Sequence, residues 1–264
     1  MPLKPDDLAI DFFPQVGFAP ADSRNALWGA YLETTRALAD AFPSDSSPGD
    51  KGLSLGWSHE DAGWLAEHTG PLGDIIAWLD FGGGSLWVER REPQEGAWIE
   101  LHGRSRTEIG RWVASAAARL AGSAEVLPRP VEQANDPANT DDTDARADLE
   151  ALYEGAGLLL NALLDAAEKQ GFSTSAPRLD ACSLRASLEI ATAGIPDSRG
   201  VEVQFSPPSN TDPLGGWSIG IKGDSGRHLS VGDFQTLPTG EAQQELIADF
   251  IVAASNELLA TMKD

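Results

Sequence analysis

The chain has 264 residues, enough for one or two domains with a sizeable core, and 41% of them are hydrophobic, as in an ordinary folded protein. Acidic residues number 41 against 19 basic ones, a net charge of −22, which repels phosphate backbones and argues against nucleic-acid binding while favouring a basic partner. The one cysteine, Cys182, excludes an intramolecular disulfide framework and a cysteine-based zinc site, and no apolar run is long enough to span a membrane.

Residues 1–20 mix Pro2, Pro5, Pro14 and Pro20 with Leu8, Ile10, Phe12, Phe13, Val16 and Phe18. Prolines at that density disfavour a helix, so an extended N-terminal arm is expected. The same stretch lacks a basic segment followed by a continuous apolar one, so no signal peptide is read and a cytoplasmic location is expected. A first helix follows, capped at Ser23 or Asn25, with an apolar stripe of Leu27, Trp28, Tyr31, Leu32, Thr35, Leu38 and Phe42. Residues 43–51 read as a polar loop, 53–57 as a short strand, and 59–69 as a short helix or irregular segment before Pro71.

The best-specified stretch runs from Asp74 to Ala121. Ile75 to Asp80 is apolar at nearly every position, as in a strand covered on both faces. Phe81-Gly82-Gly83-Gly84-Ser85 is a hairpin turn. Leu86, Val88 and Arg90 then alternate with Trp87 and Glu89, and Ala97, Ile99 and Leu101 with Trp98, Glu100 and His102. Ser105 and Glu108 have the spacing of a capping box, opening a helix whose stripe is Ile109, Trp112, Val113, Ala116, Ala117 and Leu120. The spacing predicts a three-stranded meander and a helix, ending near Gly122.

Residues 123–147, rich in Pro, Asn, Asp and Thr, read as a flexible acidic linker. A strong helix follows through Leu149, Leu152, Tyr153, Ala156, Leu159, Leu160, Leu163, Leu164 and Ala167. Alternation then marks three half-buried strands at 184–190, 201–205 and 217–221, with a fourth at 228–234, before a terminal helix opening at Pro238. The fold class is therefore expected to be α+β: two similar helix–antiparallel β-meander–helix halves, an internal duplication, joined by an acidic linker. The expected divisions are an arm at 1–20, a first half at 21–122, a linker at 123–147 and a second half at 148–264. The run Gly96 to Gly103 echoes Gly215 to Gly223 with one residue of slip.

Catalytic signatures are not met. His59-Glu60 starts a zincin-like motif, but position 63 is Gly, so the paired imidazoles on one helix face are missing. Asp80-Phe81-Gly82 matches a kinase triplet without the accompanying loops, and Gly82-Gly83-Gly84 lacks the lysine of a phosphate-binding loop. Cys182 is expected to be buried and inert. No catalytic residue, cofactor or metal is assigned.

One feature stands out. Seven of the eight tryptophans precede the linker, and Trp87 and Trp98 share a sheet face with Glu89, Glu100 and His102. An aromatic and acidic face suits a protein interface, so Trp87, Glu89, Trp98, Glu100 and His102 are the candidate protein-binding residues. Trp28, Trp78 and Trp112 are expected in the core. The small acidic α-β-β-β-α unit is similar in general layout to secretion-chaperone domains, a likeness of layout without a shared motif. The expected function is a non-catalytic intracellular protein-binding module, of chaperone, adaptor or immunity type, for a basic or amphipathic protein. Two other readings are an enzyme or ligand binder with a site between the halves, using His59, Glu60, His68 or His102, and a DNA mimic. The sequence leaves the partner's identity and the oligomeric state open.

Overall fold

The alternation between Ile75 and Leu101 is realised as antiparallel strands. The computed structural model describes residues 19–41, 54–58, 63–70, 73–91, 95–121, 140–169, 171–192, 201–207, 217–221, 228–230 and seven helical positions between 242 and 253. Within it, β1 (Ser54–Ser58), β2 (Gly63–Gly70), β3 (Gly73–Asp80), β4 (Ser85–Arg90) and β5 (Glu95–Glu100) pair antiparallel in chain order. Three helices accompany the strands: α1 (Ala21–Ala41), α2 (Arg106–Ala121) and α3 (Thr143–Lys169). The protein is α+β with an extensive antiparallel sheet. The chain divides into two compact units, the first Gly17–Glu150 with Leu179–Leu184, the second Ala151–Arg178 with Arg185–Asp264.

In the first unit one sheet face carries most of the core, although Leu65 and Ile76 on the other face are buried as well. Leu55, Trp64, Ala66, Ile75, Ala77, Leu79, Leu86 and Val88 are buried on the main core face, and α1 and α2 pack on each other and on the strands. The α2 stripe is buried at Ile109, Val113, Ala116, Ala117 and Leu120 as its spacing requires. Its capping box is complete. Glu108 accepts the Ser105 N–H at 2.8 Å, and Ser105 Oγ accepts the Glu108 N–H at 3.3 Å.

Several expectations are corrected. Helix α1 starts at Ala21, so Ser23 and Asn25 lie inside it rather than at its cap. The Pro20 carbonyl accepts the Arg24 N–H at 3.1 Å, and the Ala19 N–H is bound by the distant Asp148 carboxylate at 3.0 Å. The segment expected as helix or irregular between His59 and Thr69 holds strand β2, its residues 59–62 lying outside those described. Trp64, Leu65 and Ala66 are all buried, so no period of two marks the strand. Its partners decide instead: Trp64 lies opposite Trp57 in β1 with rings 5.2 Å apart, and pairing on both sides overrides local propensity. The meander therefore has five strands, not three.

The glycine turn also differs from its simplest reading. Only Gly84 has a positive φ, at 64°. Gly82 and Gly83 supply room. A Cβ on Gly82 would stand 2.3 Å from a Glu150 carboxylate oxygen, and one on Gly83 2.1 Å from Asp80 Oδ2. The Tyr31 hydroxyl donates to the Phe81 carbonyl, Arg146 Nη1 donates to the Gly83 carbonyl at 3.1 Å, and burial pushes the Tyr31 hydroxyl well above the usual tyrosine range.

Helix α3 begins at Thr143, within the stretch read as linker; residues 122–139 lie outside the described ones. Asp142 caps it, its Oδ1 accepting the Ala145 N–H at 3.0 Å. The acidic run that resembles a solvated linker is thus in part a helix start.

In the second unit, α3 buries Leu152, Tyr153, Ala156, Leu159, Leu160, Leu163 and Ala167. The strands are β6 (Phe172–Thr174), β8 (Arg185–Thr192), β9 (Val201–Ser206), β10 (Ser218–Ile221) and β11 (His228–Ser230), in the order β11-β10-β9-β8 with β6 on β8; β7 (Arg178–Asp180) precedes β8 in the chain. Strands β8 to β10 fall where alternation places them, and β11 covers the first three residues of the expected fourth strand, whose residues 231–234 lie outside the described ones. Two short strands, β6 and β7, carry too few residues to show a period. The expected N-terminal arm, the 43–51 loop and most of the terminal helix lie outside the described residues.

Candidate protein-binding face

The face of strands β1–β5 opposite α1 and α2 carries a row of tryptophans. Register places Trp78 opposite Trp87, and Trp87 opposite Trp98. Directly opposite residues share a face, so the three indoles stand side by side across β3, β4 and β5. Trp78 and Trp87 are parallel within 3° at 5.6 Å, and Trp87 and Trp98 stack at 5.9 Å with 27° between planes. Such pairs are worth about 0.5–1.5 kcal/mol each beyond the area they bury.

Burial falls along the row. Trp78 and Trp87 are half-buried, whereas Trp98, on the last strand of the sheet, is 56% exposed. The middle ring is held by polar contacts. Trp87 Nε1 donates to Ser85 Oγ at 2.9 Å, Ser85 Oγ donates to Asp80 Oδ2 at 3.2 Å, and Asp80 Oδ1 accepts the Gly83 N–H at 2.7 Å. The turn thus fixes the indole through two side chains.

Carboxylates flank the row. Glu89 lies two residues beyond Trp87 on the same face, opposite Ile76 and Gly96, and Glu67 lies opposite Ile76 on β2. On the other side Asp80 and Glu100 both lie opposite Ser85. Gly96 has no side chain to stand between Glu89 and the edge; a Cβ there would lie 3.1 Å from Glu89 Cβ. Glu67 and Glu100 are exposed, and Asp80 and Glu89 half-buried. Beside the row a recess of about 380 Å³ is lined by Gly56, Trp57, Ser58, Leu65 and Glu67.

The structure therefore brings together Trp87, Glu89, Trp98 and Glu100. His102 lies past the end of β5, engaged elsewhere: its Nδ1 stands 3.4 Å from the Thr140 N–H and 3.1 Å from Asp141 Oδ1. One nitrogen cannot serve both at once. Trp78, expected in the core, is instead the first ring of the row. Its signal was its place opposite Trp87 once the hairpin turn is centred between Asp80 and Ser85. Cys182, expected to be buried, is exposed in the turn after β7, where its N–H donates to Asp180 Oδ1 at 2.6 Å and its carbonyl accepts from Arg36.

His59 and Glu60 lie outside the described residues, as does the side chain of His68. Among the described residues no three or more His, Cys, Asp or Glu side chains gather as a metal site, and no helix is long and apolar enough to cross a membrane. Comparison with protein-family models, with curated proteins and with solved structures gives no match.

Proposed function

We propose that this chain is a non-catalytic, intracellular protein-binding module, of chaperone, adaptor or immunity type, that engages a basic or amphipathic segment of another protein through the Trp78–Trp87–Trp98 face. The observation that carries the reading is a stacked tryptophan row that ends in an indole 56% exposed and is flanked by Glu67, Glu89, Asp80 and Glu100. An exposed indole forgoes on the order of 2 kcal/mol of burial, which a partner's contact would restore. An arginine over the indole adds about 0.5–2 kcal/mol, and the glutamates set the sign of the partner's charge. Nucleic acid carries the wrong sign for such a surface.

The test uses a short peptide alternating arginine with threonine, titrated by tryptophan fluorescence. Neutralising Glu89 and Glu100 to Gln, or changing Trp98→Ala, is expected to weaken binding at least about tenfold. Neutralising Glu154 and Asp165, exposed on α3, is expected to leave it unchanged. Equal losses from both acidic pairs would mean diffuse charge attraction and no site.

An internal duplication is part of the same reading. A helix, a run of antiparallel strands and helical residues occur twice in order. The turn after Asp80 also has a counterpart after Asp180: the Gly84 and Leu184 N–H groups donate to the Asp80 and Asp180 carbonyls, and both residues have positive φ, 64° and 51°. Helix α1 reaches both turns, Tyr31 to the Phe81 carbonyl and Thr35 Oγ1 to the Ala181 carbonyl.

A further inference from the structure

The row of indoles ends on a strand that has no neighbour on its outer side among the described residues. Among the described residues β5 pairs with β4 and is last in the strand order. Which main-chain groups it presents follows from the ladder. The Leu101 N–H donates to the Gly84 carbonyl at 3.1 Å, one step beyond the pairing of Ser85 with Glu100. In an antiparallel ladder hydrogen-bonded pairs alternate, so Ile99, Ala97 and Glu95 also turn their N–H and C=O toward β4. Gly96, Trp98 and Glu100 turn theirs outward. All three are exposed, while Ala97 and Ile99 are half-buried.

The residues with outward main-chain groups are also those on the tryptophan face. A strand added to this edge would place one side chain directly against Trp98, as Trp98 stands against Trp87. Two residues to either side, its next same-face side chains would lie opposite Glu100 and opposite Gly96. The gap at Gly96 leaves Glu89 within reach of the second. All three positions thus favour a cation.

We propose that the partner segment binds as an added antiparallel β-strand on β5, with arginine or lysine at alternate positions and one arginine stacked on Trp98 as the fourth member of the row. This rests on the protein-binding reading above and specifies how that face is used. A second copy of the chain fits less well: β5 paired antiparallel with itself around Trp98 puts Glu100 opposite Gly96 of the second copy, beside that copy's Glu89, twice over, between two chains each of net charge −22.

The experiment uses the full chain and the alternating arginine–threonine peptide. Amide hydrogen exchange is followed by NMR, and two peptide sets are compared, N-methylated at every arginine amide or at every threonine amide. Saturating peptide is expected to slow exchange at Gly96, Trp98 and Glu100. Methylated arginine amides are expected to weaken binding at least about tenfold, and methylated threonine amides to change it little. Binding with no slowing at those three amides and equal effects of the two sets would overturn strand addition while leaving the protein-binding face standing. No binding of the peptide would remove both. A dimer by light scattering, with those amides slow before peptide is added, would assign the edge to a second copy.

Discussion

The two units each hold an aromatic trio, and the trios have opposite fates. In the first, Trp78, Trp87 and Trp98 stack across three strands on the face turned away from the helices, and exposure grows to 56% at the last ring. In the second, Tyr153 of α3 meets Phe205 and Trp217 edge-on at 6.1 and 5.4 Å, those two rings stack at 5.5 Å, and Trp217 is only 3% exposed. Trp98 and Trp217 both follow a glycine, in Gly96-Ala97-Trp98 and Gly215-Gly216-Trp217. What separates them is parity. Trp217 shares its phase with Ile219 and Ile221, which are buried, so it points into the core with them. Trp98 is out of phase with Leu101, which is buried, and with the half-buried Ala97 and Ile99. A one-residue slip moves a strand's whole side-chain set to the other face. The phase of a tryptophan against its apolar neighbours thus decides whether its ring is core or surface.

The sharpest way to break this comparison is Trp217→Ala. Removing a buried indole leaves a cavity against Tyr153 and Phe205, and a loss of about 3–5 kcal/mol is expected from urea unfolding. A loss near that of an exposed residue would mean that the second trio is not a core.

Trp87→Ala probes the middle of the first trio. It removes two stacking contacts and orphans Ser85 Oγ as an acceptor, so about 1–2 kcal/mol of destabilisation is expected, between the buried and exposed extremes. The exciton couplet of stacked indoles in circular dichroism should vanish with it. A couplet that survives would show that the rings do not couple as stacked.

Much of this difference was legible in advance, because parity is a property of the sequence. Val88 and Leu101 on one side and Trp98 and Glu100 on the other follow from alternation alone, and so does the α2 capping box from Ser105 and Glu108. What was hidden depends on distant partners. The β2 strand is buried at three consecutive residues, so only its pairing with β1 and β3 identifies it. The start of α1 is held by Asp148, which also binds Arg24 Nη1 at 3.1 Å across 124 residues. The reasons for Gly82 and Gly83 are carboxylates, one of them on another helix. That β5 comes last among the described strands was unreadable because a sequence does not state the order of strands in a sheet.

Acid sharpens the comparison through the helix caps. Ser105 main-chain and side-chain hydrogen bonds lower the Glu108 pKa below its ordinary 4.5, and the Ala145 N–H, then Ser23, lower that of Asp142 below 3.8. A depressed folded pKa adds stability above the unfolded value, which is lost as pH falls through the folded one. Stability should therefore decline below about pH 4.5, and removing the Glu108 carboxyl with Glu108→Gln should flatten part of that decline. An unchanged acid limb in the variant would show that its cap does not contribute.

The smallest effect is expected at Trp98→Ala. The ring stacks on Trp87 through one face only and is more than half in water, so its removal should cost no more than about 1 kcal/mol, well below the Trp217 loss. The measurement is a urea melt of the single variant beside Trp217→Ala under one set of conditions. A small loss fits an end ring that waits for a neighbour, and the same variant then separates folding from capture, because binding of the basic peptide should fall while the melt hardly moves. A loss of several kcal/mol would mean that Trp98 is packed in solution, and the first trio would then be as much a core as the second.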